Sequence, residues 1–274
     1  MLYFMRAAKI FFTFLLSLYS VCFAQVNPGA RSVALAHSDI SFAEDPFTLF
    51  NNPACLSNIN ERAIGIYYSP APFGVKELSN AFGVYAEPTE IGSFGGGFMI
   101  YGFELYKETK IALGFGRKIN NKFSAGVTAV YKNLSIKNYG SRGYFLFNIG
   151  AAYSLQKNLQ IGFAAENITR TSTSDDDNQF PVILSAGIGY KVIDELTAFI
   201  SASKELDYNA SVRFGAEYKP VDFLHLRFGT TTEPDIFSGG VGVIYNFVEA
   251  DYAVTSHPDL GLTHQFGITL RFQK

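Results

Sequence analysis

Residues 210–218 read ASVRFGAEY, and their two characters do not mix: Ala210, Val212, Phe214, Ala216 and Tyr218 are apolar, while Ser211, Arg213, Gly215 and Glu217 are polar or small. Side chains on a strand alternate between two faces, so a period of two marks a β-strand with one apolar side, whereas a helix would repeat near every ~3.6 residues. The same split recurs at Phe123, Ala125, Val127, Ala129 and Tyr131 against Ser124, Gly126 and Thr128. It recurs again at Phe266, Ile268, Leu270 and Phe272 against Gln265, Gly267, Thr269 and Arg271. About fourteen such runs follow one another from Arg62 to Phe272, most of them close to the ~9–11 residues that a tilted membrane strand needs.

Composition says which way the apolar faces turn. Hydrophobic residues make up 48% of the 274-residue chain, with Gly 25, Phe 27, Tyr 16 and Trp 0. Beyond the N-terminus no apolar run is long enough for a membrane helix, so the apolar residues are dispersed over short aromatic-rich strands. The joints alternate between short turns and longer loops. Pro88 to Ile91, Ile119 to Lys122, Gln156 to Asn158, Val192 to Glu195, Lys219 to Asp222 and Asn246 are short, while the intervening joints include Asn133 to Gly143 and Ile168 to Pro181. Short turns on one side and long loops on the other are the pattern of an outer-membrane barrel, with the tight turns in the periplasm. Tyr85, Phe123, Tyr153, Tyr190, Tyr218, Phe223, Tyr245 and Phe247 cluster beside the short turns and form the expected interfacial girdle.

The first residues point to export. Arg6 and Lys9 precede an apolar stretch from Ile10 to Leu18, and Ala24 offers a small residue before Gln25, which reads as a secretory signal peptide over residues 1–24. Cleavage after Ala24 removes Cys22 and leaves Cys55, so an intramolecular disulfide and a cysteine zinc cluster are excluded by count. Loss of Arg6 and Lys9 moves the formal charge from -2 to -4, too mild to suggest a nucleic-acid partner.

Residues 25–61 lack alternation. Asp45-Pro46 and Asn52-Pro53 each place a capping residue before a proline, the order favoured at a helix start, so short helical turns carrying Phe47, Leu49, Phe50 and Leu56 are expected in the lumen or across the periplasmic mouth. On the barrel wall, Arg213, Glu217, Arg227, Glu249, Asp251 and Arg271 fall on the inferred inner face, joined there by His225. They read first as a salt-bridge network bracing the wall and second as a selective eyelet. The inward glycines Gly114, Gly116, Gly126, Gly162, Gly215, Gly240 and Gly242 either leave room for a plug or ligand or relieve curvature.

Catalytic sets are thin. The histidines are His37, His225, His257 and His264, and the combination of His257 with Ser256 and Asp259 in a polar loop is commonplace. Asp175-Asp176-Asp177 reads as a solvated loop before it reads as a calcium site. No catalytic residue, metal or cofactor is expected.

The N-terminal segment GARSVALAHSDISFAEDPFTLFNNPACLS (residues 29–57) resembles the opening of PorV/PorQ-type proteins, within the broader FadL-like family of outer-membrane barrels. Ala30-Arg31, the small residues Ser32 to Ala36, Glu44-Asp45 and the motif Asn52, Pro53, Ala54 carry the resemblance. The last hairpin, Asp251 to Phe272, is similar as well, through Asp251-Tyr252, Leu260-Gly261, Thr263-His264 and Arg271-Phe272. His37, Cys55 and the two residues after Phe272 depart from the pattern. The resemblance implies a fourteen-stranded barrel with a lumenal N-terminal segment. For PorV and PorQ members it implies a part in type IX protein secretion, and for FadL members uptake of hydrophobic compounds.

The expectation is therefore an all-β chain: an antiparallel transmembrane β-barrel of about 14 strands over residues 62–274, preceded by the segment 25–61 as a short lumenal plug. It is expected in the outer membrane, in contact with lipid, as a non-enzymatic component of a type IX-like secretion or surface-attachment machine whose partners are secretion-machinery proteins and exported cargo. The alternative is a FadL-like channel for hydrophobic compounds, marked by apolar ligand contact with Phe47, Phe50 and Leu56.

Overall fold

The computed structural model describes residues 27–172, 180–206 and 208–272. The signal-peptide reading and Asp175-Asp176-Asp177 lie outside the described residues. Fourteen antiparallel strands form one closed ring in which each strand pairs with its neighbours in the chain and β1 closes on β14. The first seven are β1 (Arg62–Ser69), β2 (Asn80–Thr89), β3 (Gly92–Gly102), β4 (Tyr106–Lys118), β5 (Phe123–Ile136), β6 (Gly140–Gln156) and β7 (Leu159–Glu166). The second seven are β8 (Ile183–Ile193), β9 (Leu196–Glu205), β10 (Ser211–Val221), β11 (Leu224–Thr232), β12 (Asp235–Tyr245), β13 (Val248–His257) and β14 (Gly261–Phe272). Closure pairs Arg62 with Phe272, so both ends of the barrel sequence lie at the short-turn rim. No described helix is long and apolar enough to cross a membrane.

The alternating sequence is realised as alternating exposure. Large apolar side chains stand on the outside, among them Ile66 at 58%, Leu113 at 68% and Phe98 at 53% exposed. A continuous apolar outer surface of this kind needs lipid against it. Tyr85, Tyr153, Tyr190, Tyr218, Phe223, Tyr245 and Phe247 are all exposed beside the short turns, and Phe123 is half-buried there.

Loop lengths correct one part of the sequence reading. Asn133 to Gly143 is not a long loop, because β5 and β6 stay paired up to Ile136 and Gly140. Both strands run past the membrane-strand length, at 14 and 17 residues. Continued pairing satisfies the backbone groups that a loop would leave to water, and the polar composition here reflects strand that has left the bilayer. Opposite the short turns, the long joints are the one after β1, with two 3-10 turns at Pro72–Gly74 and Lys76–Leu78, and the one from Asn167 to Val182.

The segment before β1 lies inside the ring. It contains α1 (Ala30–Ala34), α2 (Thr48–Asn51) and a 3-10 turn at Pro53–Asn58. Asn52 caps its turn as expected, whereas α2 starts at Thr48 with Phe47 in the cap position and no side-chain cap, so Asp45 closes the turn ahead of that helix. The Asp45 carboxylate accepts from Phe47 N at 3.0 Å, and the Asn52 side chain accepts from Ala54 N at 3.1 Å. Phe47, Leu49, Phe50 and Leu56 are buried on or beside these turns. The sequence reading did not foresee α1, whose five residues are too few to show a helical period.

Candidate functional site: a plugged lumen with two chambers

Glycines on the wall make room for the plug. A methyl group at Gly116 or Gly126 would overlap the backbone of Pro53, and one at Gly162 would overlap Ile40 and Ser41. Gly114 faces Leu49, Gly215 faces Ser38 and Leu35, and Gly240 faces Ala34. Gly242 is different, since it lies against Asp251 and the Arg227 guanidinium rather than the plug. Contact with the plug, through its backbone or its side chains, therefore accounts for six of these seven inward glycines.

The plug meets two unlike halves of the wall. Towards β1 to β5 the inner face is apolar: Tyr67, Phe82, Val84, Met99, Ala112 and Val130 form one buried cluster with Phe47, Leu49, Phe50 and Leu56. Edge-to-face pairs lock it, with Phe47 to Tyr67 at 6.3 Å, Phe50 to Phe82 at 5.3 Å and Tyr67 to Phe82 at 5.8 Å between ring centroids. Sequence reasoning missed these inward aromatics, because on strands with apolar residues on both faces the period of two fades.

Towards β10 to β14 the inner face is charged. Arg227, with its side chain 1% exposed, reaches Glu217 at 2.7 Å and Glu249 at 3.3 Å and also pairs with Asp251. Arg271 reaches Glu249 at 3.0 Å and donates to the Glu44 carbonyl at 2.9 Å. From the plug, Arg31 reaches Glu217 at 3.0 Å, Asp39 at 2.9 Å and Asp45 at 3.6 Å. Five of the six sequence-predicted charges, Glu217, Arg227, Glu249, Asp251 and Arg271, thus lie in one cluster. Arg213 does not join it. The three basic and three acidic residues expected on the wall already balanced on paper, so nothing in their count demanded Arg31, Asp39 or Asp45. Burial holds the Asp45 carboxyl above its usual range in spite of Arg31.

The motif residues Asn52, Pro53 and Ala54 are buried against the inner faces of β4, β5 and β6. The Asn52 amide donates to Ile40 O at 2.7 Å and to Ala151 O at 3.4 Å, so it links two parts of the plug to the wall. Thr128 donates to Leu49 O at 2.9 Å and closes the same seam. Cys55 is free and fully buried, and burial pushes its thiol up to about 12.

The histidines are spread apart. His257 Nδ1 accepts from the backbone of Asp259 at 3.2 Å and Leu260 at 3.3 Å, and its ring packs on Phe73, so it closes a turn. His264 stacks on Tyr252 and shares a 2.6 Å hydrogen bond with its hydroxyl. His225 sits 3.1 Å from Arg227. His37 faces Ser32 Oγ at 3.1 Å, and burial, with Arg213 nearby, lowers its pKa to about 3.

Above the plug, on the long-loop side, are two chambers. The smaller, about 70 Å³, has Phe50, Met99, Val130, Leu146 and Phe180 on one side and Glu108, Lys110, Lys132 and Glu166 on the other, with Lys132 paired to Glu108 at 2.8 Å. Pairing of β6 with the 8-residue β7 begins only at Ile149 and Ala165, and Ile168 N instead reaches Phe147 O at 2.9 Å. The larger chamber, about 300 Å³, lies over α1 between Tyr67, Phe73, His37, Arg213, Ser238 and Gln265.

This architecture, a closed fourteen-strand barrel with an apolar exterior and a lumen occupied by its own N-terminal segment, is that of an outer-membrane barrel. Among solved structures, a toluene transporter of Ralstonia pickettii, TbuX, superposes with a TM-score of 0.70 at 13% identity, covering 89% of this chain and 98% of that one. A FadL homologue of Pseudomonas aeruginosa superposes at 0.68 and 12% identity, covering 91% and 99%. The monoaromatic hydrocarbon channel CymD superposes at 0.70 and 13%, covering 92% and 100%. No protein-family model and no curated protein matches by sequence. Identities this low establish the shared fold.

The comparison corrects the expectation of a type IX secretion component, since the barrels this chain resembles in structure are hydrocarbon transporters and channels. The physical reason lies in the residues that carried the resemblance. Ala30, Asn52, Pro53 and Ala54 press against wall glycines or bond the wall, which are requirements of a plugged lumen rather than of any one machine.

Proposed function

We propose that this chain is a non-enzymatic outer-membrane channel that admits small hydrophobic compounds, held in the membrane by lipid contact with its apolar outer belt. The observation that carries this reading is the small chamber between plug and wall, where Phe50, Met99, Val130, Leu146 and Phe180 form an apolar side opposite Glu108, Lys110, Lys132 and Glu166. A general porin requires an open, water-filled pore, whereas here the plug packs into the lumen with an apolar half. The structural resemblance to toluene transporters supports the same reading. The ladders are unbroken around the ring, so passage involves movement of the plug.

The test is entry of toluene into cells that carry or lack the protein, with a small sugar as control. Faster toluene entry with unchanged sugar entry supports the reading. Equal toluene entry in both strains overturns it.

A further inference from the structure

The larger chamber has a chemistry that a hydrocarbon would not satisfy. Five buried side-chain atoms in the described residues lack any hydrogen-bond partner, and three of them, Asn80 Oδ1, Ser238 Oγ and Gln265 Oε1, belong to residues lining this one chamber. Their residues are 3%, 3% and 7% exposed. A buried polar atom left unsatisfied costs ~1–3 kcal/mol, so three set in the wall of one cavity mark a place where a small turn of the Asn80, Ser238 or Gln265 side chain towards a polar guest completes the structure.

Arg213 adds a charge. Unlike Arg31, Arg227 and Arg271, it makes no ion pair or hydrogen bond among the described residues, and it is the one lysine or arginine lining the chamber. The single acid on the lining, Glu233, is exposed at the rim, beside the turn that joins β11 to β12. Tyr67, Phe73, Val33 and Ile236 supply apolar wall between these groups. An arginine fork, scattered neutral hydrogen-bonding groups and flat apolar walls in about 300 Å³ suit a small, planar, anionic molecule.

We propose that this chamber is a binding site for small aromatic carboxylic acids, with the carboxylate on Arg213, the ring against Tyr67 and Phe73, and a ring hydroxyl paired with Ser238 or Gln265. The proposal goes beyond entry of apolar compounds and places a second, polar specificity in the outer half of the lumen. Bound acid would pair the arginine and satisfy at least one orphan atom, whereas toluene in the same place would leave all of them bare.

The test is calorimetric titration of the full purified barrel with 4-hydroxybenzoate and with its uncharged relative 4-hydroxybenzamide. The acid is expected to bind at least ~10-fold more tightly than the amide, Arg213→Gln to erase that preference, and Gln265→Leu to weaken the acid ~3-fold or more. Equal binding of acid and amide, absence of acid binding, or a preference that survives in Arg213→Gln would overturn the proposal and leave a water-filled vestibule. The acid-to-amide comparison on the unaltered protein stands even if a variant fails to assemble. Toluene entry separates the two readings: entry without acid binding removes only this site, and acid binding without toluene entry removes only the hydrocarbon channel.

Discussion

Replacing Arg31 by methionine is expected to loosen the plug without dismantling the barrel. Arg31 is the plug's own cation in the lumenal cluster, 11% exposed, and it touches Glu217 on the wall as well as Asp39 and Asp45 on the plug. Removing one member of a buried ion pair costs ~3–5 kcal/mol. The lower end applies here, because each carboxylate keeps a partner: Glu217 keeps Arg227 at 2.7 Å, Asp39 keeps Ser32 Oγ at 2.6 Å and Asp45 keeps Phe47 N at 3.0 Å. About 3 kcal/mol taken from plug docking raises the undocked population roughly a hundredfold. Cys55 reports it, since it is fully buried in the plug and is the one cysteine among the described residues. The assay is the rate of maleimide labelling of Cys55 in intact outer membranes, followed by mass. Labelling of Arg31→Met up to ~100-fold faster than the unaltered protein, with the barrel still closed by gel mobility, is the expected result. An unchanged rate in a folded variant would show that apolar packing alone seats the plug. Arg31→Lys should recover only part of the effect, because an ammonium cannot present the planar fork that reaches three carboxylates.

Other perturbations probe the remaining contacts. Gly126→Val drives a side chain into Pro53 and Ala54, so overpacking of ~1–3 kcal/mol should raise both Cys55 labelling and ion conductance across planar bilayers. Asn52→Ala removes the cap on Ala54 N and the bonds to Ile40 and Ala151, and should lower the urea midpoint of unfolding by the equivalent of ~1–2 kcal/mol. His37 is held neutral down to about pH 3, while an unfolded histidine takes its proton near pH 6.5. The unfolded state therefore binds more protons in between, and stability should fall as pH drops from 6.5 towards 3. His37→Gln should flatten that part of a thermal-midpoint profile, and an equally steep profile in the variant would show that other groups carry it.

Strand number and sidedness were legible because a barrel wall between lipid and lumen writes itself into sequence as a period of two. Ala210 to Tyr218 states it without a structure, and Ser211 and Glu217 are indeed buried inside while Phe214 and Tyr218 are exposed outside. The cap at Asn52-Pro53 was legible for a similar reason, since a cap is a contact between near neighbours in the chain, while the helix after Asp45-Pro46 starts two residues later than that order suggested. Loop lengths were less so. Asn133 to Gly143 has loop composition, yet whether strands stay paired beyond the bilayer depends on the partner strand. The secretion reading failed because short motifs recorded plug packing, which barrels of different function share.

Local periodicity and capping by themselves determined that this chain is a β-barrel with a separate N-terminal segment. Only the tertiary structure decided which inward residues meet. It drew Arg31, Asp39 and Asp45 into the cluster around Arg227, left Arg213 outside it, and gathered Asn80, Ser238 and Gln265 around one chamber. These groups lie far apart in sequence, and the lumen that brings them together comes into being when β1 closes on β14 around the plug.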